Sequence, residues 1–108
     1  ILPINTSTMR PMSRMGDKCF TGHLCSFTAP VMAKQFDVYS EGKPNLTFGD
    51  RVAFHFILVG KFCVPHLGAK VNQGSMTVFV KGIPAARIGD STDQGMMYKG
   101  ANTVFAGG

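Results

Sequence analysis

The side chains best suited to chemistry are three histidines and three cysteines. His23 stands in Gly16-Asp17-Lys18-Cys19-Phe20-Thr21-Gly22-His23-Leu24-Cys25, and His55 follows Gly49-Asp50 at a matching place. Cys63-Val64-Pro65-His66 then sets a thiol and an imidazole two residues apart across a proline. Any one of these histidines alone reads as a surface or satisfied core residue. Three of them near glycine or proline turns, with a thiol beside one, read as ligands. Zinc takes four such groups in a tetrahedron, and thiolate and imidazole both suit a borderline-soft cation. Ser91-Thr92-Asp93-Gln94 offers neither imidazole nor thiol, so the ligands should come from the first two repeats and the Cys63–His66 loop. Cys25 is the alternative thiolate, because residues two apart in an extended segment face the same way. An odd cysteine count excludes a fully paired disulfide framework in an isolated chain. Cys19 and Cys25 could pair, leaving Cys63 free.

The elements that must carry these residues repeat along the chain. Gly82-Ile83-Pro84-Ala85-Ala86-Arg87-Ile88-Gly89-Asp90 aligns without gaps on Gly42-Lys43-Pro44-Asn45-Leu46-Thr47-Phe48-Gly49-Asp50. It aligns equally on Met9-Arg10-Pro11-Met12-Ser13-Arg14-Met15-Gly16-Asp17. Before the first two of these lies a strand-like arm, Thr77-Val78-Phe79-Val80 or Asp37-Val38-Tyr39-Ser40, and Thr103-Val104-Phe105-Ala106 closes the chain with a third. Alternating residues predict strands, the glycines predict turns, and each proline sits where a ladder N–H can be spared. Asp17, Asp50 and Asp90 end identical Gly-Asp corners, where an Asp side chain accepts a backbone N–H and fixes the turn. They read as architecture rather than as paired catalytic carboxylates.

Composition agrees. The chain has 108 residues, enough for one domain with a modest core, and its 13 Gly and 6 Pro suit short strands and tight turns. No window carries a helical period or a run of apolar residues long enough to span a bilayer, and the N-terminus lacks the pattern of a signal peptide. Ile1 to Thr8 reads as an extension, a processed end or a piece of something longer, with residues 9–108 forming the repeat domain. The net charge is +5, but its lysines and arginines are scattered singly, so solvated surface explains them better than a nucleic-acid stripe does.

Pro84-Ala85-Ala86-Arg87, followed by Ile88-Gly89-Asp90 and preceded by Gly74-Ser75-Met76-Thr77-Val78-Phe79-Val80-Lys81-Gly82, resembles the PAAR-repeat family. These small proteins sharpen the spikes of type VI secretion systems and contractile phage tails. The resemblance runs from about Met9 to Gly108; the second repeat is degenerate, with Asn45-Leu46-Thr47 in place of small residues and Arg. It implies an all-β, compact conical or pyramidal arrangement of three repeated β-hairpin units. The apex would hold a metal on three histidines and one cysteine, carried over here as His23, His55, Cys63 and His66. The ion would be zinc, with iron the other choice. A cone has almost no interior at its point, so a metal would replace the missing core there.

The resemblance further implies that one copy caps a trimeric β-helical spike protein of the VgrG type or a phage central spike. Three similar arms approximate the three-fold symmetry this needs, with Phe79, Val80, Val104 and Phe105 the candidate docking residues. Such a tip would be made in the bacterial cytoplasm, incorporated in the spike, and delivered out of it into transient contact with a target membrane. Separate effector proteins would be further partners, and nucleic acid would not. Nothing resembles a nucleophile beside its base or a phosphate-cradling loop, so no enzyme is expected. The alternative from another class is a small zinc-stabilised nucleic-acid-binding module, motivated by the positive charge and the Cys-x-x-His loop.

Overall fold

A computed structural model of the chain describes residues 9–107; the extension expected over Ile1 to Thr8 lies outside them. The described chain is all-β, with thirteen short strands. They are β1 (Arg10–Pro11), β2 (Lys18–His23), β3 (Ser26–Met32), β4 (Tyr39–Ser40), β5 (Lys43–Pro44), β6 (Arg51–Val52) and β7 (His55–Val59). After these come β8 (Phe62–His66), β9 (Phe79–Val80), β10 (Ile83–Pro84), β11 (Ser91–Thr92), β12 (Gly95–Met96) and β13 (Phe105–Ala106).

The repeat seen in the sequence is the repeat of the fold. Tyr39 pairs with Pro44 between β4 and β5, and Phe79 pairs with Pro84 between β9 and β10. Phe105 pairs with Pro11 in the same way, so β13 from the end of the chain completes a third ribbon with β1 from its beginning. In the two covalent ribbons the turn residues Glu41 and Lys81 have φ of 53°, each followed by a left-handed glycine. That is the type I′ turn whose twist matches a two-residue hairpin. Within each ribbon the aromatic residue faces out and its successor, Ser40, Val80 or Ala106, is buried. Val80, Ala106, Met12 and Ala85 form one small apolar cluster, with Val78 and Val104 packed against it.

The three Gly-Asp corners do the work assigned to them. Asp17, Asp50 and Asp90 donate their backbone N–H to the carbonyl three residues earlier, at 2.8, 3.0 and 3.0 Å. Gly16, Gly49 and Gly89 hold φ of 85°, 86° and 90°, the left-handed position a type II turn requires at its third residue. Each carboxylate in turn accepts the backbone N–H three residues back, from Arg14, Thr47 and Arg87 at 2.7, 2.8 and 2.7 Å. Arg14 and Arg87 add guanidinium bonds to the same Asp, and buried Asp90 receives a further one from Arg10. Thr47, standing where the other repeats have Arg, donates only its hydroxyl.

Beyond each corner the chain runs out into a second hairpin. These are β2–β3, β7–β8 and β11–β12, with β6 lying beside β3. Bridges between Met12 and Arg87, Arg14 and Asn45, and Thr47 and Ala85 lace the three arms together. Beneath the outer hairpins lies the larger core, including Val31, Leu46, Val71 and Met97. Small β-ribbons cannot bury themselves, so this arm-to-arm packing is what makes the three units one body.

Candidate metal centre

Two of the three outer hairpins bring their histidines together. His23 ends β2, while His55 and His66 face each other as the inner rung of β7–β8. The ring centroids of His23, His55 and His66 lie 4.8 to 5.4 Å apart. The fourth group among them is Asp93, from the turn between β11 and β12, where φ is 57°. One carboxylate oxygen, Oδ2, stands 2.8 Å from His55 Nε2, 3.0 Å from His23 Nε2 and 3.6 Å from His66 Nδ1. His66 Nδ1 and His23 Nε2 are themselves 3.1 Å apart. All four donor atoms lie within 4.8 Å of one another.

Cys63 has another partner. Its sulfur is bonded to Cys25 at 2.04 Å, with the two Cα atoms 5.9 Å apart. Both candidate thiolates are therefore used on each other, and the pairing of Cys19 with Cys25 does not occur. In the antiparallel register Cys63 lies opposite Leu58, three rungs beyond the His55–His66 rung, which carries it past the histidines. Cys19 is a free, buried thiol, pushed up to about 11 by its burial. The sequence reading passed over Asp93 by looking only for imidazole and thiol in the third unit; a carboxylate is an equally ordinary zinc ligand.

The hydrogen bonding around His55 tests whether these residues suit a metal. Its Nδ1 lies 2.9 Å from the Ala53 carbonyl, which can only accept, so Nδ1 carries the hydrogen. In the neutral ring Nε2 then presents a lone pair, and it points at a carboxylate oxygen. Two acceptors at 2.8 Å repel unless a cation lies between them. A proton would satisfy one such pair, and a multivalent ion could bridge all three nitrogens and the carboxylate oxygen at once. A backbone carbonyl orienting the far ring nitrogen is also the usual support of a metal-bound imidazole. The set fits: three imidazoles and a carboxylate suit zinc, and equally the ferrous ion.

The docking candidates separate in the same plain way. Phe79 and Phe105 are exposed, while Val104 is half-buried. Val80 is only 3% exposed and belongs to the core, because successive strand residues alternate faces and Phe79 takes the outer one. The outward residue that the repeat supplies in addition is Tyr39.

Comparison with known families bears on this arrangement directly. The PAAR motif family model matches residues 59–108. The chain thus carries a PAAR motif in that stretch. The matched part holds the third Gly-Asp corner, two of the three ribbon aromatics, His66 and Asp93. His23 and His55 precede it and are tied to it by the internal repeat. No curated protein matches the chain. PAAR motifs form conical β folds at the tips of secretion spikes and phage tails, and the all-β ribbons described above accord with that shape. No helix among the described residues is long and apolar enough to cross a membrane.

Proposed function

We propose that this PAAR-motif chain caps a trimeric β-helical spike of the VgrG or phage type, one copy to each trimer. One observation carries the reading. Tyr39, Phe79 and Phe105 are 52%, 55% and 45% exposed, and each stands opposite a proline in an equivalent ribbon. A single chain thereby presents three near-identical aromatic edges. A three-fold blunt end would meet each of them alike, pairing main chain to main chain and covering the rings.

Among the outer hairpins, His23, His55, His66 and Asp93 would hold zinc or iron. The ion supplies cohesion where little apolar surface can be buried, and four protein donors complete a structural zinc sphere. The role is mechanical, and the protein is no enzyme in this reading. It would be made in the bacterial cytoplasm and leave with the spike, with effectors as separate passengers. The nucleic-acid alternative has only part of the positive charge to draw on. Arg10, Arg14, Arg87, Lys34 and Lys81 are all engaged in ion pairs with carboxylates.

Co-expression with a trimeric spike β-helix tests the cap. The chain is expected to co-purify at one copy per trimer, and Tyr39→Asp, Phe79→Asp and Phe105→Asp combined should abolish the complex. Retention of the complex by the triple variant would defeat the reading.

A further inference from the structure

The β7–β8 hairpin is longer than its role at the metal centre requires. His55 and His66 form its innermost rung, and four more rungs follow out to Val59 and Phe62. At about 3.3 Å per residue these carry the Gly60-Lys61 turn roughly 13 Å past the histidines. The Cys25–Cys63 bond ties the hairpin to the turn of β2–β3 partway along. Past that point Val59 and Phe62 are 53% and 73% exposed, and Leu58, on the rung of Cys63 itself, 45%. Leu24 and Phe27, around Cys25, extend the apolar surface at 69% and 68%. Neither the aromatic ribbons nor the Gly-Asp corners involve any of these side chains.

Charge indicates what covers them. Between Asp50 and Asp90 the sequence contains no acidic residue, and the hairpin's one charge is Lys61 in its turn. An apolar finger tipped by a lone cation, with no carboxylate along it, complements a surface that is oily beneath and anionic on top. We propose that the β7–β8 hairpin seats its tip in the interfacial layer of an anionic lipid bilayer, Phe62, Val59 and Leu58 entering the acyl boundary and Lys61 meeting phosphate. Long cationic side chains place their heads at that level while their stems stay in apolar surroundings.

Backbone chemistry limits the depth. The hairpin's ladder joins only its own two strands, so the outward N–H and C=O groups of β7 and β8 would be unsatisfied in hydrocarbon. Five rungs also span only about 17 Å, against about 30 Å of bilayer core. Insertion is therefore shallow and confined to one leaflet, where phenylalanine and leucine side chains of interfacial segments reside.

This inference concerns the chain alone at equilibrium and does not rest on docking to a spike, so the two can fail separately. The chain has no tryptophan, which makes Phe62→Trp a single reporter at the hairpin tip. With vesicles of mixed phosphatidylglycerol and phosphatidylcholine, its emission should shift to the blue and be quenched by brominated acyl chains. Phe79→Trp, on a ribbon, should show neither change. Leu58→Ser with Phe62→Ser should weaken vesicle binding about tenfold or more, and Lys61→Glu should weaken it on the anionic vesicles while changing it little on pure phosphatidylcholine. Because all three positions are exposed, melting temperatures should stay put; should the serine pair fail to fold, the Lys61→Glu and tryptophan results decide. The proposal is overturned by tip emission that ignores vesicles, by undiminished binding of these variants, or by sedimentation showing a hairpin-dependent dimer that forms without lipid.

Discussion

The aromatic ribbons and the outer hairpins come from the same three repeats, but only the ribbons keep the symmetry. In the ribbons each unit contributes an aromatic, a facing proline and a buried small or apolar successor, and the three are nearly interchangeable. Among the outer hairpins, β2–β3 runs to six and seven residues, β7–β8 to five in each strand and β11–β12 to two. Their contributions also differ: His23 from the first, His55 and His66 from the second, Asp93 from the third. Identical edges suit a partner that is itself three-fold. A single ion held by such a cluster would need only enough donors of suitable kind, so the units would be free to diverge around it.

The contrast can be broken first at the metal. Stripping the ion with a strong chelator should lower the melting temperature by more than about 10 °C, since structural zinc contributes on the order of 10 kcal/mol or more. Asp93→Ala should reduce bound metal below one per chain by elemental analysis. Serine in place of Tyr39, Phe79 or Phe105 should alter neither quantity. A melting temperature indifferent to chelation would remove the basis for an ion-held end.

The Gly-Asp corners sharpen the comparison one level down, because they retain the repeat in unequal strength. Asp90→Ala leaves the buried Arg87 guanidinium without its carboxylate and should cost about 3–5 kcal/mol in urea unfolding. Asp50→Ala, facing Thr47 in place of an arginine, should cost nearer 1–3 kcal/mol, the desolvation of an orphaned N–H. Equal losses at the two corners would show that the arginine adds nothing.

A smaller effect separates the same corners by pH. Burial holds the Asp50 carboxyl above its ordinary 3.8, outweighing the bonds from Thr47 and the charge of Lys34. The folded chain therefore keeps a proton that the unfolded chain has already lost. This group weakens the fold at neutral pH, and stability recovers as pH falls through the folded-state value toward 3.8. Asp50→Asn should flatten that recovery in urea midpoints taken across the window, and a parallel pair of curves would refute it. The gentlest probe is thiol titration. Without reductant a single thiol, Cys19, should react, and only after unfolding, because it is buried with its proton held to about 11; three reactive thiols would mean that Cys25 and Cys63 are not joined.

What the sequence disclosed follows from where each signal resides. The Gly-Asp corners and the aromatic arms are local: a type II turn and a period-two strand are written in adjacent residues, so alignment of the chain with itself finds them. The histidines could be paired with their corners for the same reason. The joining of Cys25 to Cys63 depends on how far β7–β8 reaches past the β2–β3 turn, and spacing along the chain does not encode that distance. Asp93 was hidden because the third hairpin is so short that its candidate donor sits in the turn itself, three residues past the corner rather than five or six. Val80 was misplaced as a docking residue although strand alternation with Phe79 determines its inward face.

The pairing of β1 with β13 has a consequence for how the molecule comes into being. Arg10 meets Ala106 and Pro11 meets Phe105, contacts that span almost the entire described polypeptide. During synthesis β1 must wait, unmatched, until β13 has emerged from the ribosome. Closure of so long a loop is an entropic bottleneck, and the third ribbon stays incomplete until that late pairing forms.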